Sequence, residues 1–192
     1  YLSIIENRRP KYYFEKYENI YDTLFYTIKI LEFRKEFDQG LPQGTAEDIL
    51  HAYEKSYYRM DNYYRKFYLA YDMSEKYEFV NKLQEKVEYL YTHWFIGELG
   101  ANWSQAVRTD LVEDWKLTGV KKQQDFYRDH ASSRIARGER IFVIISDAMR
   151  YEIATDLVER LNTKTIGSTS IEPMLGIVPS ITKLGMASLL PY

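Results

Sequence analysis

The chain contains no cysteine, which excludes disulfides and thiolate metal sites and leaves oxygen and nitrogen donors for any metal it binds. The same absence points to an intracellular origin. Charge of one sign is also in short supply. Lys and Arg number 26 against 28 Asp and Glu, a formal net charge of −2, so the basic surplus on which phosphate-backbone binding rests is missing. Any contact with nucleic acid would have to be local. No apolar run reaches the roughly 18 to 20 residues that cross a bilayer, and no basic start followed by an apolar signal core opens the chain. The expected location is cytoplasmic, with no membrane partner. The text opens on Tyr1 without a methionine and stops at "LLPY" with no closing element, and we expect it to be a fragment of a longer protein.

What is present has the balance of an ordinary globular chain, 45% hydrophobic and 28% charged, and not that of a disordered one. Its 192 residues suggest one domain, or one and a part. Residues 1–137 read as a helical bundle region. From Pro10, placed as a first helical residue, Phe14, Tyr17, Tyr21, Leu24, Phe25, Ile28, Leu31 and Phe37 recur at three-and-four spacing and predict one long amphipathic helix. "DQGLPQG" breaks it, and Thr45 with Asp48 makes an acidic capping box that opens a second helix running to about Asp72. Ser74 is the expected N-cap of a third helix that ends at Leu99 before Gly100. Shorter helices are expected over Trp103 to Trp115 and Lys121 to Arg137, with Gly138 left-handed beyond the last.

After Gly138 the period changes. Ile141 to Ile145 form a continuous β-branched apolar run, the mark of a strand covered on both faces. "MRYEIATDLVERLN" puts Ile153, Leu157 and Leu161 on one helical face, and Lys164 to Ile171 reads as a second strand. Strand, helix, strand opens a parallel α/β sheet. Residues 138–192 are therefore the expected start of an α/β parallel-sheet domain that is truncated here.

Tyrosine occurs 19 times, and Tyr53, Tyr57, Tyr64, Tyr68 and Tyr71 share a face of the second helix near Arg59 and Arg65. Such a stripe can stack single-stranded bases. The reading we favour buries the rings between helices and leaves the hydroxyls wet at the rim, since Glu54, Asp61 and Asp72 neutralise the stripe and Asp61 can pair with Arg65. His51, His93 and His130 share no metal-ligand spacing, and no chemistry is assigned to them.

Two positions carry candidate chemistry. Asp147 closes the first predicted strand, at the rim where open α/β sheets build their sites, and can either bind a divalent cation or cap the following helix. Thr182, after Pro179 and Ser180, opens a helix in "KLGMASLL". There it can either act chemically, favoured by free amides, or serve as a plain N-cap.

Taken together, "VIISDAMRYE" and "MLGIVPSITKLGMASLLP" resemble the PglZ family, a branch of the alkaline phosphatase superfamily and the phosphatase-like component of BREX phage-defence systems. "YYRMDNYYRKFY" and "QQDFYRDH" are similar to the helical region preceding the catalytic domain in that family. The resemblance implies an alkaline phosphatase-like catalytic domain over residues 138–192, and in the full-length protein a metal-dependent phosphoester hydrolase of phosphodiesterase or nuclease type. It implies that Asp147 is the first metal ligand and that Thr182 is both nucleophile and metal-bound. The cofactor would be a divalent metal, zinc being the usual ion. Thr182 stands where sulfatases carry a modified cysteine, which speaks against sulfatase chemistry. Arg150 either steadies a phosphate oxygen or pairs with Glu152, and the pair is preferred. Ser180 is a runner-up nucleophile and Lys183 a possible source of charge. The remaining ligands are expected beyond Tyr192, so the fragment alone is expected to be inactive. The implied partners are other BREX proteins, with DNA reached through the full-length protein. The alternative is a non-catalytic scaffold or interaction module of the defence complex.

Overall fold

Pro10 lies in a turn between two helices, α1 (Leu2–Arg8) and α2 (Phe14–Glu36), and not at the head of one long helix. Proline has no N–H to continue α1, and the chain turns through Lys11 before Phe14 opens α2. The computed structural model describes residues 1–191, which fall into two compact units dividing between Thr109 and Asp110.

In the N-terminal unit, α2 buries Phe14, Ile30 and Phe33 together with Thr23 and Thr27. The two threonines tolerate burial because their hydroxyls donate to the carbonyls of Asn19 and Thr23, at 2.7 and 2.8 Å, so no donor is left unsatisfied. The predicted capping box is present. Asp48 N–H donates to Thr45 Oγ1 at 3.1 Å, and Thr45 N–H to Asp48 Oδ2 at 3.0 Å. The Thr45 hydroxyl, which itself donates to Asp48 Oδ2 at 2.7 Å, and the Thr45 N–H hold the Asp48 carboxyl below its ordinary range. The helix so opened runs through α3 (Ala46–Ala52), a π-helical turn over Tyr53–Tyr57 and α4 (Tyr58–Met73).

Ser74 ends α4 and does not begin the next helix. Its hydroxyl donates to the Tyr71 carbonyl at 2.8 Å, which removes it as a cap, and α5 (Glu78–Tyr89) takes Tyr77 as its N-cap. Nor does Gly100 stop the helix. The chain continues through a π-helical turn over Leu90–Ile96 into α6 (Gly97–Asp110), because a glycine lowers helix stability by only about 1 kcal/mol and nothing at Gly100 requires a left-handed exit. The core of this unit joins Ile30 and Phe33 to Met60, Phe67, Val87 and Phe95.

The tyrosine stripe packs between helices as favoured, but its hydroxyls are not simply wet. Asp61, 8% exposed, accepts from Tyr53 and Tyr91 at 2.5 and 2.7 Å. Glu88 accepts from Tyr64 and Tyr68 at 2.7 and 2.5 Å.

The C-terminal unit begins its ordered pattern with strand β1 (Lys121–Lys122), a 3-10 turn over Gln123–Asp125, a π-helical turn over Tyr127–Ser132 and α7 (Ser133–Ala136). Gly138 is left-handed at φ 73°, as expected. After it come α8 (Tyr151–Lys164), strand β2 (Met174–Leu175) and α9 (Thr182–Ser188). The strands pair in parallel, Lys121 opposite Met174 and Lys122 opposite Leu175.

This small parallel pair within a mostly helical chain is compatible with the beginning of an alkaline phosphatase-like domain, but both predicted strands fall elsewhere. Ile141 to Ile145 form no ladder among the described residues, and Phe142 and Ile144 are 83% and 92% exposed. A strand is held by hydrogen bonds to neighbours, and apolar content cannot supply them. Lys164 to Ile171 is not a strand because Asn162 folds the segment back on itself: its Oδ1 accepts from Thr169 N–H at 2.7 Å and its Nδ2 donates to the Thr169 carbonyl at 3.2 Å.

Candidate functional site

Asp147 sits with Ala148 in a turn ahead of α8, exposed to solvent, and Ala148 adopts φ 55°. The plain capping role is not realised, since Arg150 is the N-cap of α8 and no side chain caps its amides. Thr182 is the first residue of α9, not its N-cap. That position belongs to Ile181, in extended conformation, again without a side-chain cap. The Thr182 hydroxyl is exposed. Neither functional group has a hydrogen-bond or ion-pair partner among the described residues, so both retain their full donor and acceptor capacity.

The flanking candidates are equally open. Ser180 and Lys183 are exposed on either side of Thr182. Arg150 is exposed as well. Among the described residues no group of three or more His, Asp or Glu could hold a metal ion. A zinc centre takes three or four protein ligands, so Asp147 and Thr182 could contribute to such a centre but do not make one.

What positions Thr182 is a brace that sequence reasoning missed. The Gln123 side chain, next to β1, accepts from the Ile177 amide at 3.2 Å and donates to the Gly185 carbonyl at 2.9 Å. One amide thus holds the chain on both sides of Thr182. Trp115 Nε1 donates to the Gly176 carbonyl at 2.7 Å. Lys121 Nζ lies 2.7 Å from Glu172, just before β2, and its hydrogen bond keeps the Glu172 carboxyl below the usual range. One available sign was Gly185 itself: a glycine inside a helix is unfavourable there and often marks a close approach. A Cβ at Gly185 would lie 3.3 Å from Gln123 Nε2.

Residues 126–192 match the family described as the BREX system PglZ alkaline phosphatase-like domain. Over its whole length the chain is 39% identical to the alkaline phosphatase-like protein PglZ of Bacillus cereus (strain H3081.97). It is 30% identical to the alkaline phosphatase-like protein BrxZ of Escherichia coli O9:H4 (strain HS), again over the whole chain. The resemblance carried by the two C-terminal motifs is thereby shown. The chain spans 22% and 23% of these two relatives. No solved structure matches it.

Proposed function

On the premise that residues 126–192 belong to the PglZ family of alkaline phosphatase-like domains, we propose that the chain is part of a metal-dependent phosphoester hydrolase of a BREX system, with Thr182 as nucleophile and Asp147 as a metal ligand. The observation that carries this reading is that both groups are solvent-facing and uncommitted, with the capping of α8 and α9 assigned to Arg150 and Ile181. Two polar groups kept out of local structural work, in the two motifs that carry the resemblance, are available for chemistry.

Asp147 would offer a carboxylate, and Thr182 a hydroxyl, to a divalent ion whose remaining ligands would have to come from elsewhere in the full-length protein. When bound, such an ion supplies Lewis acidity and lowers the pKa of a coordinated hydroxyl. The Thr182 hydroxyl gives up its proton to solvent water and its Oγ1 attacks phosphorus in line. A P–O bond forms, the bond to the leaving alcohol or aryl oxide breaks, and that oxygen departs with the electron pair. Water then attacks the phosphothreonine, and the P–Oγ1 bond breaks to regenerate the hydroxyl. Arg150 and Lys183 are free cations available to phosphate oxygens.

The test uses the full-length protein with zinc or manganese and bis(p-nitrophenyl) phosphate. Thr182→Ala and Asp147→Ala should each reduce turnover by roughly three orders of magnitude. Unchanged turnover in both ends the hydrolase reading.

A second reading, an interaction module for other BREX proteins, is favoured by an open apolar cleft of about 300 Å³ in the N-terminal unit, lined by Ile49, Leu50, Tyr53, Ile96, Leu99 and Trp103 among others. Retention of the other defence components by full-length Trp103→Ala, at the wild-type level in a pull-down, would remove that cleft from consideration.

A further inference from the structure

We propose that Gln123 is a positioning residue for the reaction assigned to Thr182, setting where that hydroxyl stands through one side-chain amide bonded on both sides of it. The inference rests on the reading of Thr182 as nucleophile and goes beyond it to a residue outside the matched family segment, which begins at 126.

Thr182 opens a helix of seven residues, too short to hold its own place, since isolated helices under about 12 residues are marginal in water. Its neighbours are exposed: Ser180, Ile181, Lys183 and Leu184 all face solvent, so apolar packing gives this turn little support. The support comes from polar contacts that reach across about sixty positions of sequence. Gln123 Oε1 takes the Ile177 N–H, five positions before Thr182, and Gln123 Nε2 reaches the Gly185 carbonyl three positions after it. An amide is suited to this because it presents one acceptor and a donor a fixed distance apart. Alanine, methionine or a carboxylate cannot supply both.

Gly185 fits the same role. A Cβ there would stand 3.3 Å from Gln123 Nε2, tighter than side chains usually pack, so its absence lets the amide approach the backbone; at Gly176 a Cβ would stand 3.5 Å from Oε1, in ordinary contact. Trp115 adds a third bond by donating to the Gly176 carbonyl. Gln123 itself follows directly on β1, whose pairing with β2 ties the Gly176 to Thr182 stretch to the same scaffold. Bond by bond the brace is modest, yet a nucleophile displaced by about 1 Å can lose about a hundredfold in rate.

Full-length protein is assayed with zinc and bis(p-nitrophenyl) phosphate, with rates normalised to folded protein. Gln123→Met, which keeps volume and removes both bonds, and Gln123→Ala should each lower kcat at least about tenfold with KM within about twofold. Gln123→Asn, which keeps both groups on a shorter stem, should fall between them and wild type. Amide hydrogen exchange over residues 176–189 should accelerate in the Met variant. The positioning role is overturned if Gln123→Met retains wild-type kcat while Thr182→Ala is inactive, or if the loss appears only in KM. An active Thr182→Ala would sink the function itself, and the role of Gln123 with it. The two failures therefore differ in which variant turns over.

Discussion

Tyr64 and Tyr91 lie ring on ring, with centroids 3.6 Å apart and planes 11° from parallel, and each donates its hydroxyl to a different carboxylate. Tyr64 serves Glu88 and Tyr91 serves Asp61. The stack therefore joins two tyrosine–carboxylate clusters into one network between α4 and the helix that follows it. A polar network of this kind specifies one register of helix against helix, because any slip leaves hydroxyls and carboxylates unpaired away from water.

Asp61→Ala should destabilise the protein by about 2–4 kcal/mol, since it removes the carboxylate to which both Tyr53 and Tyr91 donate. Tyr91→Phe should cost about 1 kcal/mol, having removed a single donor. Urea unfolding of the two variants makes the comparison. Equal losses would show that Asp61 does not organise the cluster.

Stability should decline as pH rises past about 10. Burial, reinforced by the hydrogen bond to Glu88, pushes the Tyr64 hydroxyl well above its ordinary value, and Tyr68 is raised by the same causes. A group with a raised folded-state pKa contributes stability that is complete below the unfolded pKa and is lost as pH climbs towards the folded one. Denaturant midpoints measured from pH 9 to 11 should fall, and Tyr64→Phe should flatten that fall. A slope identical in the variant would contradict the assignment.

Phe67→Ala should cost about 3–5 kcal/mol, because Phe67 is fully buried in the core. Leu69→Ala, two residues along the same helix but 55% exposed, should stay within about 0.5 kcal/mol of the parent. Thermal or urea unfolding separates the two. Similar losses would mean that α4 presents a different face to the core.

Thr182→Ala and Asp147→Ala should leave the unfolding midpoint within the equivalent of about 0.5 kcal/mol, since neither side chain is buried or bonded. Any loss of turnover is then chemical and not structural. A large loss of stability in either variant would show a supporting role that their exposure does not suggest.

What the sequence made legible follows how far apart the interacting groups lie. The Thr45–Asp48 box, the left-handed Gly138 and helix α8 are formed by groups within a few residues of each other, and each stands where its local pattern puts it. Ser74 shows the limit of that method. A serine ahead of a helical pattern reads as an N-cap, but its hydroxyl turned back to Tyr71 and closed the preceding helix. The two candidate residues were legible only as members of motifs, because nothing in local spacing distinguishes a capping Asp or Thr from one left free.

By itself the sequence determined that the chain opens with a helical region, expected over residues 1–137 and carried by helices to Asp110, as well as the burial of the tyrosine rings and the resemblance of the C-terminal segment to the PglZ family, since each depends on periodicity or on a contiguous motif. Only the tertiary structure decided that β1 pairs with β2, that Ile141 to Ile145 stay unpaired, and that Gln123 grips both sides of Thr182. Hydrogen bonds between residues more than fifty positions apart leave no periodic trace, because each partner is an ordinary polar group until the chain closes the distance between them.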